Sequence, residues 1–188
     1  MGIAALSDPL ARAVFLDRDG VLNEAVIRGG KPYPPATEAD VRIVPDAAAA
    51  LHRLKAHGLR LIVVTNQPDV ARGTQPVSVV EAIHQRLLSE LPLDDILCCL
   101  HDDRDHCACR KPEPGLILEG AKRLGIDPRR SFMVGDRWRD IDAGNRAGCR
   151  TVWIDRGYRE RGPAHPPDVR VESLSEAATW ILQQVDAG

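Results

Sequence analysis

The sequence predicts an α/β fold, a Rossmann-like doubly wound parallel sheet with helices on both faces. Three observations carry this: short apolar runs recur along the chain, amphipathic helical segments alternate with them, and chemistry-bearing polar residues follow the runs directly. Strands buried on both faces read as continuous Val, Ile and Leu, and alternation with helices is the pattern of βαβ units. Strands are expected near 12–17, 60–65, 95–100, 131–135 and 150–154. Helices fit 46–57, where Pro45-Asp46 opens an Ala-rich run closed by Gly58, and 76–90, 113–124, 137–147 and 173–184. Gly125 and Gly148 sit where helix C-terminal glycines belong. The Gly- and Pro-rich stretch from Asn23 to Val44 reads as a loop over the site, and Arg156 to Asp168 as an irregular connection.

A chain of 188 residues with 44% hydrophobic content suits one well-packed domain, 1–188, and is short for two. A net charge of −2 gives no general attraction to nucleic acid or an anionic membrane, and 4% aromatic content leaves few rings on which bases could stack. No segment approaches the length of a membrane span. Met1 to Arg12 lacks a basic start followed by an apolar core, and Leu6 stands where a myristoylation signal wants Ser or Thr. The expectation is a cytoplasmic monomer acting on a small molecule, with no nucleic-acid or membrane partner.

Four segments supply complementary chemistry, each at the end of an expected strand. Val14-Phe15-Leu16-Asp17-Arg18-Asp19-Gly20 delivers two carboxylates into a Gly turn. Leu61-Ile62-Val63-Val64-Thr65-Asn66-Gln67 ends in a hydroxyl and two amides, and Cys109-Arg110-Lys111-Pro112 places a Lys before a Pro-led helix start. Phe132-Met133-Val134-Gly135-Asp136 ends in an acid, with Asp140 one helical turn further on. Asp-Gly by itself merely marks a turn, and Asp140 by spacing alone is close to an ordinary helix-surface acid. All four in this order resemble the haloacid dehalogenase superfamily of aspartate-nucleophile phosphohydrolases, over residues 14 to 155.

Cysteine is the second strong signal. Cys98-Cys99-Leu100-His101 is followed, after five residues, by Cys107-Ala108-Cys109. Side chains two apart on extended backbone share a face, so Cys99 with His101 and Cys107 with Cys109 form two claws able to close on one zinc ion. Alternation excludes Cys98, and His106 stands just outside the set. A disulfide or unrelated core thiols are the competing readings. Four protein ligands leave no open position, so the zinc would be structural, fixing the loop that aims Arg110 and Lys111. This combination resembles the small subfamily that holds the heptose-bisphosphate and histidinol-phosphate phosphatases, which carries a zinc loop and lacks a large cap domain.

That resemblance implies a phosphatase with no organic cofactor. Asp17 would be the nucleophile and Asp19 the general acid and base. Thr65 and Lys111 would complete the catalytic set, with Asn66, Arg110 and Lys111 on the substrate. Mg2+ would be held by the Asp17 and Asp136 carboxylates and the Asp19 backbone carbonyl, with Asp140 behind them. Thr65-Asn66-Gln67-Pro68-Asp69-Val70-Ala71-Arg72-Gly73 resembles the heptose-bisphosphatase pattern but departs from it at Pro68-Asp69, where a small flexible pair is expected. A phosphorylated sugar is the first reading of the substrate. Histidinol phosphate and a nucleic-acid 3′-end phosphate are alternatives, and a binding protein that kept the fold is a third. Arg110, with Arg72 and Lys31, is expected at the pocket mouth, where three cations would favour a doubly phosphorylated sugar.

Overall fold

A computed structural model describes residues 10–187, so the readings made on the first nine residues lie outside the described residues. In chain order the strands are β1 (Ala13–Leu16), β2 (Val26–Arg28), β3 (Lys31–Tyr33), β4 (Arg60–Asn66), β5 (Asp95–Cys99), β6 (Phe132–Gly135), β7 (Arg150–Ile154) and β8 (Val169–Val171). The helices are α1 (Ala47–Ala56), α2 (Val77–Glu90), α3 (Gly115–Leu124), α4 (Trp138–Ala147) and α5 (Leu174–Asp186). Six strands form one parallel sheet in the order β5-β4-β1-β6-β7-β8.

Period-two alternation on fully buried strands builds a core on each face. From β1, Val14 and Leu16 join Leu61 and Val63 of β4 under α1, α2 and α5; Ala13 and Phe15 join Ile62 and Val64 under α3 and α4. The chain runs outward from β1 through β4 to β5, then returns to place β6 on the other side of β1. The strand order therefore reverses between β1 and β6, the point where the carboxyl ends of an open α/β sheet leave a crevice.

Every expected strand and helix is present within a few residues, and the sheet gains β8. The Asn23–Val44 stretch holds an antiparallel hairpin, β2 with β3, instead of being loop throughout. Its strands are three residues long, mostly exposed, and one contains Pro32, so they carry no apolar alternation. Gly29 and Gly30 turn it with φ of 58° and 79°, the positive values a tight hairpin turn needs. The Gly30 carbonyl accepts a hydrogen bond from Arg159 N at 2.9 Å, tying the hairpin tip to the connection after β7. Among the described residues, no helix is long and apolar enough to cross a membrane.

Candidate active site

Asp17 leaves β1 with its N–H donated to the Val134 carbonyl at 2.9 Å, so its backbone is fixed to β6. Its Oδ1 accepts from Lys111 Nζ at 2.7 Å, and the same ammonium lies 2.6 Å from Asp140 Oδ1. Lys111 is itself held by Asn66, which accepts from the Lys111 N–H at 3.0 Å and donates to its carbonyl at 2.9 Å. Asn66, expected on the substrate, thus has both ends of its amide on the Lys111 backbone. Asp140 caps the start of α4 through the Arg137 N–H at 3.0 Å.

Asp136 follows β6. Its Oδ2 accepts from the Tyr158 hydroxyl at 2.7 Å, while its buried Oδ1 has no partner. Carboxylate oxygens of Asp17, Asp136 and Asp140 lie within 4.8 Å of one another. Three buried acids lie together with one buried ammonium, which pairs with Asp17 and Asp140 only, and charge this concentrated away from water is unfavourable unless a cation joins it. Burial pushes the Asp17 carboxyl up to about 6 against the pull of Lys111, with Asp140 adding to the rise. Asp136 rises well above the carboxylate range through burial, then through Asp17 and Asp140. Burial draws Lys111 down, but Asp140 and Asp17 outweigh it and hold its ammonium above the ordinary value. A hard divalent cation with oxygen ligands is what this donor set and the unpartnered Asp136 oxygen fit. Gly20 permits the close approach: at φ +87°, an added Cβ would stand 1.7 Å from Asp136 Oδ2.

The Asp19 side chain turns to a different set of partners. Arg18, fully buried, grips it with Nε at 3.2 Å and Nη2 at 2.9 Å; Asn23 and Gln67 each donate to it at 2.9 Å. Burial alone would raise its pKa, but the Arg18 charge and these hydrogen bonds together lower it. Gln67 also donates to the Thr65 hydroxyl at 3.0 Å, so it links the two residues. Gln67 and Tyr158 were not singled out from the sequence. The Thr-Asn-Gln run carried a signal for the first, whereas Tyr158 comes from a connection with no periodicity.

The zinc-type claw is assembled at the end of β5. Cys109 Sγ lies 3.1 Å from Cys99 Sγ and 3.3 Å from Cys107 Sγ; Cys99 and Cys107 are 3.6 Å apart. His101 Nδ1 stands 3.3 Å from Cys109 Sγ and 3.6 Å from Cys99 Sγ. Three soft sulfurs and an imidazole around one centre fit a tetrahedral zinc with bonds of about 2.3 Å to sulfur. All five cysteines are free, and Cys98 stands outside the group.

Asp17, Asp19, Thr65, Lys111 and Asp140 line a cleft with a cavity volume of about 220 Å³. Its rim is made of paired charges. Arg72 holds Asp102 at 2.8 Å and Asp69 at 3.2 Å, Arg110 and Arg139 share Asp103, and Arg137 pairs with Glu160. Lys31 lines the same cleft.

A family model described as "HAD-hyrolase-like" matches residues 108–177. The D-glycero-beta-D-manno-heptose-1,7-bisphosphate 7-phosphatase of Rhodopseudomonas palustris is 38% identical over 76% of this chain and 82% of its own. The enzyme of that name from Helicobacter pylori strain J99 is 34% identical over 90% and 97%. The crystal structure of D,D-heptose 1,7-bisphosphate phosphatase from B. bronchiseptica, complexed with magnesium and phosphate, superposes with a TM-score of 0.79 at 30% identity, covering 92% of this chain and 99% of that one. The chain belongs to the haloacid dehalogenase-like hydrolases. It is a phosphatase of that family, whose members use Mg2+; its Cys/His cluster fits a structural zinc.

Proposed function

We propose that the chain is a single-domain, monomeric cytoplasmic phosphatase that removes the 7-phosphate of D-glycero-D-manno-heptose 1,7-bisphosphate through an aspartyl-phosphate on Asp17. The observation that carries this reading is the convergence of the Asp17, Asp136 and Asp140 carboxylates, with the buried Lys111 ammonium held between Asp17 and Asp140 in the cleft. The names of the relatives supply the sugar.

A phosphate monoester is nearly a dianion near neutral pH, so a carboxylate nears its phosphorus only where positive charge is gathered first. Asp17, Asp136 and the Asp19 backbone carbonyl would hold Mg2+, which offsets charge on the transferring group. Lys111 adds a fixed cation beside the nucleophile, and Asp140 keeps that ammonium aimed. Thr65 and the amides after Asp17 bind phosphate oxygens. Asp17 attacks in line; Asp19 donates a proton to the leaving oxygen, then takes one from the water that hydrolyses the acyl-phosphate. Because Arg18, Asn23 and Gln67 hold Asp19 ionised, substrate must loosen part of that cage before Asp19 carries a proton.

The test is phosphate release, with Mg2+, from both anomers of the heptose bisphosphate, histidinol phosphate and a 3′-phosphorylated oligonucleotide. The heptose bisphosphate should give the highest kcat/KM. Preference for histidinol phosphate or the oligonucleotide overturns the substrate reading.

A further inference from the structure

Asp103 joins two arginines from different parts of the chain. Arg110, just after the zinc claw, places Nε 2.8 Å from Asp103 Oδ1. Arg139, in the first turn of α4, places Nη1 2.9 Å from the same oxygen and Nη2 3.3 Å from the other. The two guanidiniums are well anchored: Arg110 Nη1 also donates to the His101 carbonyl at 3.3 Å, and Arg139 Nη1 to the Lys111 carbonyl at 3.4 Å. Their side chains are 9% and 22% exposed, whereas that of Asp103 is 55% exposed. An anchored cationic fork therefore holds an anion whose side chain is more than half exposed to solvent. Fork and anion line the same cleft as Asp17 and Lys111.

We propose that Arg110 and Arg139 form a second anion subsite in which Asp103 is a built-in occupant, displaced by the phosphate on the leaving half of a bisphosphate substrate. This rests on the reading of the chain as a bisphosphate phosphatase. The chemistry favours exchange. A phosphate offers more charge and three strong acceptor oxygens to two planar guanidinium forks, against one charge and two oxygens from Asp103. An exposed carboxylate loses little by returning to water. While Asp103 occupies the fork, the apparent affinity for a second phosphate is reduced by the fraction of time the fork is empty. The device discriminates, because a monophosphate leaves Asp103 in place and gains nothing from the two arginines. Arg139 becomes a specificity-determining residue, and Asp103 a competitor for its own substrate.

The experiment measures hydrolysis of p-nitrophenyl phosphate by the Mg2+- and zinc-loaded enzyme, with the heptose bisphosphate as competitor, and reads the competitor's Ki relative to the reporter's KM. Arg139→Gln should raise this ratio about ten-fold, with partial recovery in Arg139→Lys, as a lost charged hydrogen bond implies. Asp103→Asn should lower it about three-fold or more, since an amide competes less well for the fork. The opposite signs separate the proposal from misfolding. A ratio raised or unmoved by Asp103→Asn, or equal shifts of Ki and KM in Arg139→Gln, would overturn it, showing that the carboxylate only braces the arginines. Turnover of the heptose bisphosphate by wild type is scored in parallel. Its absence would strike the proposed function, while the Ki pattern would still decide the subsite.

Discussion

The two candidate metal sites lie at the same edge of the sheet, one at the ends of β1 and β6 and the other at the end of β5, and are built on opposite logic. The first gathers three hard carboxylates beside one ammonium, fully buried, with the Asp136 Oδ1 left without a partner. The second gathers three thiols and an imidazole, partly exposed on a loop, with all four donors turned to one another. An oxygen set with an unused lone pair and excess negative charge suits an ion that must also meet a substrate. A closed soft set suits an ion that only ties down a chain segment. They join through three consecutive positions: the claw ends at Cys109, and Lys111 stands two residues on. Geometry imposed at the soft site thus reaches the hard one.

The largest break in that contrast is Asp17→Asn. An amide forms no acyl-phosphate, so turnover should fall by about 10⁴-fold or more while zinc content and circular dichroism stay as in wild type. A variant retaining a tenth or so of the rate would remove Asp17 from the nucleophile's place.

Next is Cys107→Ser. It should release close to one zinc per chain, lower Tm, and reduce kcat through a misplaced Lys111, by roughly 10- to 100-fold as for a lost supporting ligand. Elemental analysis and a phosphatase assay check both arms; full activity and an unchanged Tm without zinc would separate the two sites.

Asn66→Ala tests the splint at the other end of Lys111, where both amide contacts are lost. A decrease of about ten-fold in kcat is expected, with little change in Tm, from loss of positioning of the cation. An effect on KM alone would place Asn66 on the substrate instead.

Much of this contrast was legible in the sequence. Asp17, Thr65 and Asp136 each follow an apolar run that reads as a buried strand, with Asp19 two residues after the first, and the cysteine spacing placed the claw that ends just before Lys111. What was not legible depends on contacts between loops. Tyr158 reaches Asp136 from a stretch without periodicity, and Asp103 meets Arg139 across 36 residues of sequence. The hairpin over the cleft was hidden because exposed three-residue strands leave no hydrophobic pattern. The Asp19 cage was not legible because nothing in the sequence marks Arg18, its neighbour, as fully buried.

The smallest expected effect is on stability. Asp17 and Asp136 have raised folded-state pKa values, burial being the first cause, so the folded state binds protons more tightly than the unfolded chain. With zinc bound and Mg2+ omitted, stability should rise as pH falls from about 7 through about 6 toward the ordinary carboxylate value near 4, by on the order of 2 kcal/mol. Saturating Mg2+ should flatten the rise by neutralising the same charges. Denaturant melts across pH with and without Mg2+ measure it, and a zinc site with no carboxylate should show no such gain.

The central claim is that Asp17 takes the phosphoryl group before water does. A phosphorothioate ester made chiral with 16O and 18O and hydrolysed in 17O-labelled water distinguishes the paths, because each in-line displacement inverts phosphorus. Two displacements, onto Asp17 and then onto water, give retention of configuration in the released thiophosphate, which is the expected result. Inversion would mean that water attacks the ester directly, and that the carboxylates and Lys111 serve a single-step hydrolysis.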